Sequence, residues 1–293
     1  MSVAQLTYNQ TDKLRGYSNV FSRMSLLPIV ESGDFSLLNM KIKRDEDKIG
    51  KKFSTYSEYL KFAFAELRKN YRSEYIYKNT LVNSLISNKY GTKNSIIINE
   101  FRVGNSVADM VLFNGTSKAF EIKTELDSDK RLETQLSDYS KIFKKSYLVI
   151  HESMLNKYKV EDNIGIITLS TERGRLKLNK ERKATENNII DVDMLMRSVH
   201  TNEYKNIVFS YFGTLPNVGN CEMYEICKAM IKEIPQETLH ELFLGEIKKR
   251  KSNNDSLKSY TNELRQFCLC TNLSKEQYAV FNERLNNPIP INI

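Results

Sequence analysis

Between residues 95 and 125 three β-type runs alternate with two tight-turn signatures, and this meander constrains the fold more than any other feature. "SIIINEFRV" is rich in β-branched residues and reads as a strand, Gly104-Asn105 as a turn, and "SVADMVLF" as a second strand. Asn114-Gly115 is a strong hairpin signature, and "KAFEIKTEL" is the third strand. Such short links join antiparallel neighbours. "SDKRLETQLSDYSKIF" follows, with Leu132, Leu136, Tyr139 and Phe143 at helical spacing, Ser128 as its expected N-cap and Asp129 in its first turn. "KSYLVIH" is a strand reached through this helix, so it is expected to return parallel to a neighbour by a right-handed crossover. "GIITL" adds another strand and "GRLKL" a short hairpin arm. The expected fold class is α/β, a mixed central β-sheet flanked by helices.

The flanks are helical. Residues 1–70 begin polar and become helix-like at "STYSEYLKFAFAELRKNY", where Tyr59, Phe62, Phe64 and Leu67 recur at helical spacing and Ser54 or Ser57 is the expected cap. "RSEYIYKNTLVNSLISNKYG" opens the middle region, 71–190, as a helix with Tyr75, Leu81, Leu85 and Ile86 on its apolar face and Gly91 as its stop. From about Asp191 to residue 293 amphipathic segments such as "CEMYEICKAMIKEI", "ETLHELFLGEIKKRK" and "SLKSYTNELRQFCLC" predict a C-terminal helical domain. No apolar run is long enough to span a bilayer, so no membrane association is expected. The four cysteines (221, 227, 268 and 270) form no C-x-x-C pair and the N-terminus has no apolar signal core, which predicts a reduced, cytoplasmic protein. A net charge of +8 favours a polyanionic partner.

Chemistry concentrates in the meander. Asp109 lies on the second strand, and Glu121 and Lys123 lie two apart on the third, so they share a face beside Asp109. Converging carboxylates are costly unless a cation holds them. A hard ion such as Mg²⁺ (or Mn²⁺) suits Asp109, Glu121 and the Ile122 carbonyl, with Lys123 orienting water or stabilising phosphate charge. An isolated E-x-K carries little information, since Glu and Lys alternate on many exposed strands. The aspartate across the hairpin adds to it. Gln135 and Tyr139 share one face of the next helix and can flank the site, Gln135 at the metal-bound water or a phosphate oxygen and Tyr139 near a nucleic-acid backbone; the alternative is a core Tyr139 and a helix-surface Gln135.

These residues carry a resemblance. "VADMVLFNGTSKAFEIKTE" followed by "QLSDY" resembles the PD-(D/E)XK nuclease superfamily, the Q-x-x-x-Y element its RecB-like branch, and residues 71–185 resemble the sce7726 family. The resemblance implies a restriction-endonuclease-like core, Asp109 and Glu121 as metal ligands, and Lys123 as the catalytic lysine. Ala108 stands where the superfamily's eponymous motif has proline. A further acid is implied, with Glu74 on the preceding helix and Glu100 on the first strand as competing candidates. Lys130 and Arg131, at the start of the following helix, are candidate phosphate contacts, and "KKRK" (Lys248 to Lys251) is a weaker one. His151 and His240 receive no role, and there is no G-x-S-x-G, P-loop or dinucleotide fingerprint. The function expected is Mg²⁺-dependent endo- or exonucleolytic hydrolysis of DNA, in phage defence or in phage or prophage DNA processing. The alternatives are a non-catalytic nucleic-acid or protein-binding module and an RNA-directed nuclease. The C-terminal helices would grip DNA, form a homodimer or bind a partner protein.

Overall fold

A computed structural model of the chain describes residues 8–87, 95–125, 127–172 and 175–290. In chain order the elements are α1 (Tyr8–Val20), α2 (Arg23–Ser32), α3 (Ser36–Ile49), α4 (Tyr56–Asn70), α5 (Glu74–Ser87), β1 (Ile96–Val103), β2 (Ser106–Phe113), β3 (Ser117–Ile122), α6 (Leu132–Ser140), β4 (Lys145–His151), β5 (Gly165–Glu172) and β6 (Arg175–Arg182). Helices α7 (Val192–Ser198), α8 (Thr201–Phe212), α9 (Asn220–Lys232), α10 (Gln236–Lys248), α11 (Arg265–Thr271) and α12 (Lys275–Asn286) follow. The fold is α/β, with helical N- and C-terminal regions around a six-stranded mixed sheet of order β1-β2-β3-β4-β5-β6. No helix among the described residues is long and apolar enough to cross a membrane.

The chain divides into two compact units, neither continuous in sequence. The sheet unit takes Tyr90–Ser170 and Leu178–Ser252, and the helical unit takes Met1–Lys89, Thr171–Lys177 and Asn253–Ile293.

In the sheet unit the meander forms as expected, with β1–β2 and β2–β3 antiparallel. Both turns use glycine where the backbone needs positive φ, +60° at Gly104 and +88° at Gly115. The helical crossover through α6 brings β4 parallel to β3, and β5 is parallel to β4. Helix α6 packs on β2, β3 and β4, while α7 contacts β1 and α10 contacts β2. The core under these helices joins Phe101, Phe113, Leu136, Phe143, Leu148 and Phe243. Phe101, Phe113, Phe143 and Phe243 meet through edge and tilted ring contacts.

In the helical unit the C-terminal segment returns to the N-terminal helices. Helix α11 packs on α5, and α12 packs on α2 and α4. Tyr75 Oη donates to the Glu263 carbonyl at 2.6 Å, and Asn79 brackets the same segment by donating to Asn262 O at 2.8 Å and accepting from Gln266 N at 3.0 Å. The segment read as one amphipathic helix, "SLKSYTNELRQFCLC", is broken. A 3-10 turn over Asn254–Ser259 ends at Tyr260, which is extended (φ −84°, ψ 149°), and α11 starts afresh at Arg265.

Helix starts also shift from expectation. Thr55, not Ser54 or Ser57, caps α4: its hydroxyl accepts from Glu58 N at 3.2 Å while Glu58 accepts from Ser54 N at 2.9 Å. Ser128 does not cap α6, which begins at Leu132 without a side-chain cap; Ser128 accepts from Lys130 N at 3.3 Å inside the preceding turn. The expected stop at Gly91 lies outside the described residues.

Candidate active site

The site starts from an interruption in two paired strands. Positions facing the main core are Ile96 and Ile98, then Phe101 and Val103 on β1; on β2 they are Ala108, then Val111 and Phe113. Strict strand alternation preserves parity, so the facing changes phase in both strands at the same level. Asn99 pairs with Met110 and Phe101 with Ala108, leaving Glu100 and Asp109 opposite each other between them. Glu100 carries the reversal on β1, with φ +54°, a left-handed conformation that β-strand residues avoid. On β2 the reversal falls at Asp109 and Met110, re-aiming Asp109 out of the regular pleat.

The next strand responds. Pairing of β2 with β3 ends at Met110–Phe120, while β3 continues beside β4 through Ile122–Val149 and Lys123 N donates to Val149 O at 3.0 Å. Where β2 and β3 part, the Asp109 carboxylate takes the place of a strand carbonyl: its Oδ2 accepts from Ile122 N at 2.8 Å. The strand ends therefore splay around Asp109, Glu121 and Lys123. The carboxyl edge of an open α/β sheet is a common place for ligand sites.

Glu121 is 2% exposed, and Phe120 and Ile122 point to the opposite face, where Phe120 stacks on Tyr147. One Glu121 oxygen accepts from Lys123 Nζ at 2.8 Å and the other from Tyr139 Oη at 2.7 Å. Lys123 Nζ also donates to Gln135 Oε1 at 3.2 Å. Burial and the neighbouring Asp109 push the Glu121 carboxyl above its ordinary range, against the downward pull of Lys123 and Tyr139. Two carboxylates thus compete for limited positive charge. Past Lys123 the chain turns, with the Asp127 carboxylate accepting from both Thr124 N (2.7 Å) and Thr124 Oγ1 (2.8 Å), and this turn leads into α6.

Asp109, Glu121, Lys123, Gln135 and Tyr139 are brought together. Of the two places that the sequence left open for Tyr139, the structure gives the core one. It is fully buried, and its hydroxyl lies 2.7 Å from Glu121 Oε2 and 2.8 Å from Val107 O, so it supports the carboxylate from beneath and meets no solvent-borne backbone. Burial and the Glu121 charge push its phenol far above the ordinary value. Lys130 and Arg131 are exposed at the turn before α6. Ile122 contributes its N–H to Asp109. Glu100 is exposed, across β2's Asp109 in register. Glu74 belongs to the helical unit, where it pairs with Lys78 at 2.5 Å. Among the described residues no group of three or more His, Cys, Asp or Glu gathers as a metal cluster. The acid pair is compatible with a hard cation all the same, because Mg²⁺ is commonly held by one or two carboxylates, with waters and substrate phosphates completing its shell.

A feature that sequence reading missed is the supporting pair beside Tyr139: buried Ser106 Oγ donates to Asp138 Oδ2 at 2.7 Å, tying the start of β2 to α6. Asp138 looks like an ordinary polar helix residue in sequence, and only its position next to Tyr139 hints otherwise.

Comparison with known proteins identifies the chain's relatives. The family model of bacteriophage P4 protein cII matches residues 67–268. Protein cII of Enterobacteria phage P4 is 27% identical over 172 residues, which is 55% of this chain and 62% of that protein, so the match spans less than two thirds of the relative. A solved structure, the SPO1766 protein of unknown function from Silicibacter pomeroyi, is similar with a TM-score of 0.31 at 10% identity over 42% of this chain and 80% of that one, a likeness too slight to carry an argument. The matched stretch contains all of residues 71–185, on which the resemblance to the sce7726 family and the PD-(D/E)XK nucleases was drawn, and it overturns that assignment. Short acidic motifs with E-x-K spacing recur by chance; a match over some two hundred residues does not. The chain belongs to the bacteriophage P4 protein cII family.

Proposed function

We propose that this protein is a Mg²⁺- or Mn²⁺-dependent nuclease acting on the phosphodiester bonds of DNA, with its centre at the splayed end of β3. The observation that carries this reading is the buried Glu121 carboxylate, held by Lys123 and Tyr139 beside a second carboxylate, Asp109, at the carboxyl end of β3. Such a pair is unfavourable unless positive charge is added. Asp109 and Glu121 would hold the cation. When bound, such an ion acidifies a water and polarises a scissile phosphate. Lys123 is steered by Gln135 and Glu121 towards the same spot, where its ammonium offsets the charge that develops on the phosphate. Tyr139 fixes the far oxygen of Glu121, so that carboxylate keeps one orientation. Phage family membership supports a setting in phage or prophage DNA processing.

A second reading has its own support. Lys123 already neutralises Glu121 within the structure, as a metal-free nucleic-acid-binding module would require. Cleavage of linear, circular and single-stranded DNA and of RNA, with and without Mg²⁺ or Mn²⁺, separates the readings. Metal-dependent DNA cleavage lost in both Asp109→Ala and Lys123→Ala, with folding and DNA binding retained, is the expected result. Equal cleavage by wild type and both variants would sink the nuclease reading. A wild type that binds but never cuts would favour the binding module, and cutting confined to RNA would move the substrate.

A further inference from the structure

A cleft of about 200 Å³ opens between the approach to β4 and the segment that follows β6, and all of its lining residues belong to the sheet unit. Its walls are strapped together. Asn187 N donates to Lys144 O at 2.8 Å, Thr185 N to Asn163 O at 3.0 Å, and Asn187 Nδ2 to Ser140 O at 2.6 Å. The Asn187 side chain is used up in this strap, since its Oδ1 accepts from Ile189 N at 3.0 Å. The cleft is thus pre-formed, as ligand sites usually are. Other lining groups have nothing to hold. Ser146 is 3% exposed, yet its Oγ has no hydrogen-bond partner among the described residues, and a buried hydroxyl left in that state is costly. Lys144, half-buried, makes no side-chain hydrogen bond or ion pair among the described residues. Asn163 and Thr185, exposed at the rim, spend only backbone groups on the protein. Glu186 also lines the cleft, and the Lys145 ammonium 2.8 Å away holds its carboxyl below the ordinary range, so it stays an ionised acceptor.

An ammonium and a buried hydroxyl two residues apart are donors for an oxyanion. A phosphoryl group offers three strong acceptor oxygens with close to two negative charges, and lysine is a common phosphate binder. The carboxylate, amide and second hydroxyl around it suit a ligand that carries hydroxyl groups. The volume lies below the roughly 300–1,000 Å³ of sites for drug-sized molecules, so the ligand is small. Ser146 pairs in register with Ala119, on the amino side of Leu148, the partner of Glu121, and none of the lining residues belongs to the candidate active site. We propose that this cleft binds a small sugar phosphate, its phosphoryl group on Lys144 and Ser146 and its hydroxyls on Glu186, Asn163 and Thr185. The site stands apart from the nuclease reading and does not require it.

The test is calorimetric titration of the full chain with ribose 5-phosphate in EDTA, which keeps divalent ions away from Asp109 and Glu121. Saturable binding is expected, and ribose alone is expected not to bind. Lys144→Gln and Ser146→Ala should each weaken binding by roughly tenfold or more, the loss typical of a hydrogen bond to a charged group. The charge-matched control Lys61→Gln, exposed on α4 in the helical unit, should leave it unchanged. Ser146→Ala removes a hydroxyl that has no partner, so without ligand its urea midpoint should not fall, which separates lost binding from lost folding. Should Ser146→Ala misfold by circular dichroism, Lys144→Gln, at a half-buried position, carries the test. Asp109→Ala is expected to bind as wild type does, because it lies outside the cleft. Equal affinity for ribonate, with a carboxylate in place of the phosphate, would overturn the choice of ligand. No saturable binding below about 10 mM, or wild-type affinity in both cleft variants, would overturn the site itself.

Discussion

A phenol has one hydrogen, and Tyr139 has two acceptors within reach, Glu121 Oε2 and Val107 O. The carboxylate is the stronger acceptor, and Tyr139 is the donor to this buried oxygen among the described residues. Tyr139→Phe keeps the ring packing and removes only that donor. An unsatisfied buried acceptor costs roughly 1–3 kcal/mol, so the urea midpoint should fall accordingly while the far-UV spectrum stays native. An unchanged midpoint would mean that Glu121 is not held by this hydroxyl. On the neighbouring strand, exposed Glu100 holds φ at +54°. A left-handed conformation costs a non-glycine residue about 1–2 kcal/mol, and glycine gives back about 0.5–1 kcal/mol in strand entropy. Glu100→Gly should therefore stabilise the protein by up to about 1 kcal/mol, read in urea; destabilisation would show that the side chain makes interactions outweighing the strain.

At the level of elements, what was legible in the sequence followed from local rules. Glycine turns and β-branched runs determine β1 to β3, and the helix between them and "KSYLVIH" dictates a parallel return. Asp109, Glu121, Lys123 and Gln135 were legible as neighbours because strand and helix periodicities place them together. Features set by distant packing were not legible. Nothing near Glu100 announces a left-handed residue, and nothing local makes Asp127 rather than Ser128 organise the turn before α6. His240 is another such case, a helix residue with no evident role until α10 meets β3. Its Nε2 lies 3.2 Å from Ser117 Oγ, which accepts from Lys144 N at 2.9 Å. Ser117 therefore has its hydrogen to give, and a neutral ring accepts it. Burial and Lys144 push the imidazole down to about 4, with Glu186 opposing. Between the ordinary value of 6.5 and about 4 the unfolded chain takes up a proton that the folded ring refuses. This group's contribution to stability is thus full above the unfolded value and falls as the pH drops through that window. His240→Gln should show a shallower loss of urea stability than wild type from about pH 6.5 to 4; parallel curves would mean that the ring is not buried neutral.

At the scale of the whole molecule, the helical unit joins two segments far apart in sequence, residues 8–87 and 253–290. Arg284 Nη1 donates to Ile29 O (2.6 Å) and Val30 O (2.8 Å) at the end of α2, Arg265 Nη1 donates to Asn83 Oδ1 (2.8 Å), and a β-bridge joins Thr55 to Pro288. Removing residues 253–293 therefore strips carbonyl partners from α2 and packing partners from α2, α4 and α5. The sheet unit keeps its six-residue set of Asp109, Glu121, Ile122, Lys123, Gln135 and Tyr139 within residues 90–252. A fragment of residues 1–252 is expected to become protease-sensitive through residues 8–87 while its sheet unit stays resistant. A fragment of residues 90–252 is expected to fold and to retain any stabilisation by Mn²⁺ that the full chain shows, about 2.7 kcal/mol at a hundredfold excess over Kd, lost in Asp109→Asn. Mass spectrometry of limited digests and thermal melts with and without Mn²⁺ measure both. Protection of residues 8–87 in the shorter chain would show that the helical unit stands without its C-terminal return. Mn²⁺ stabilisation that survives Asp109→Asn would place the ion somewhere other than the splayed end of β3.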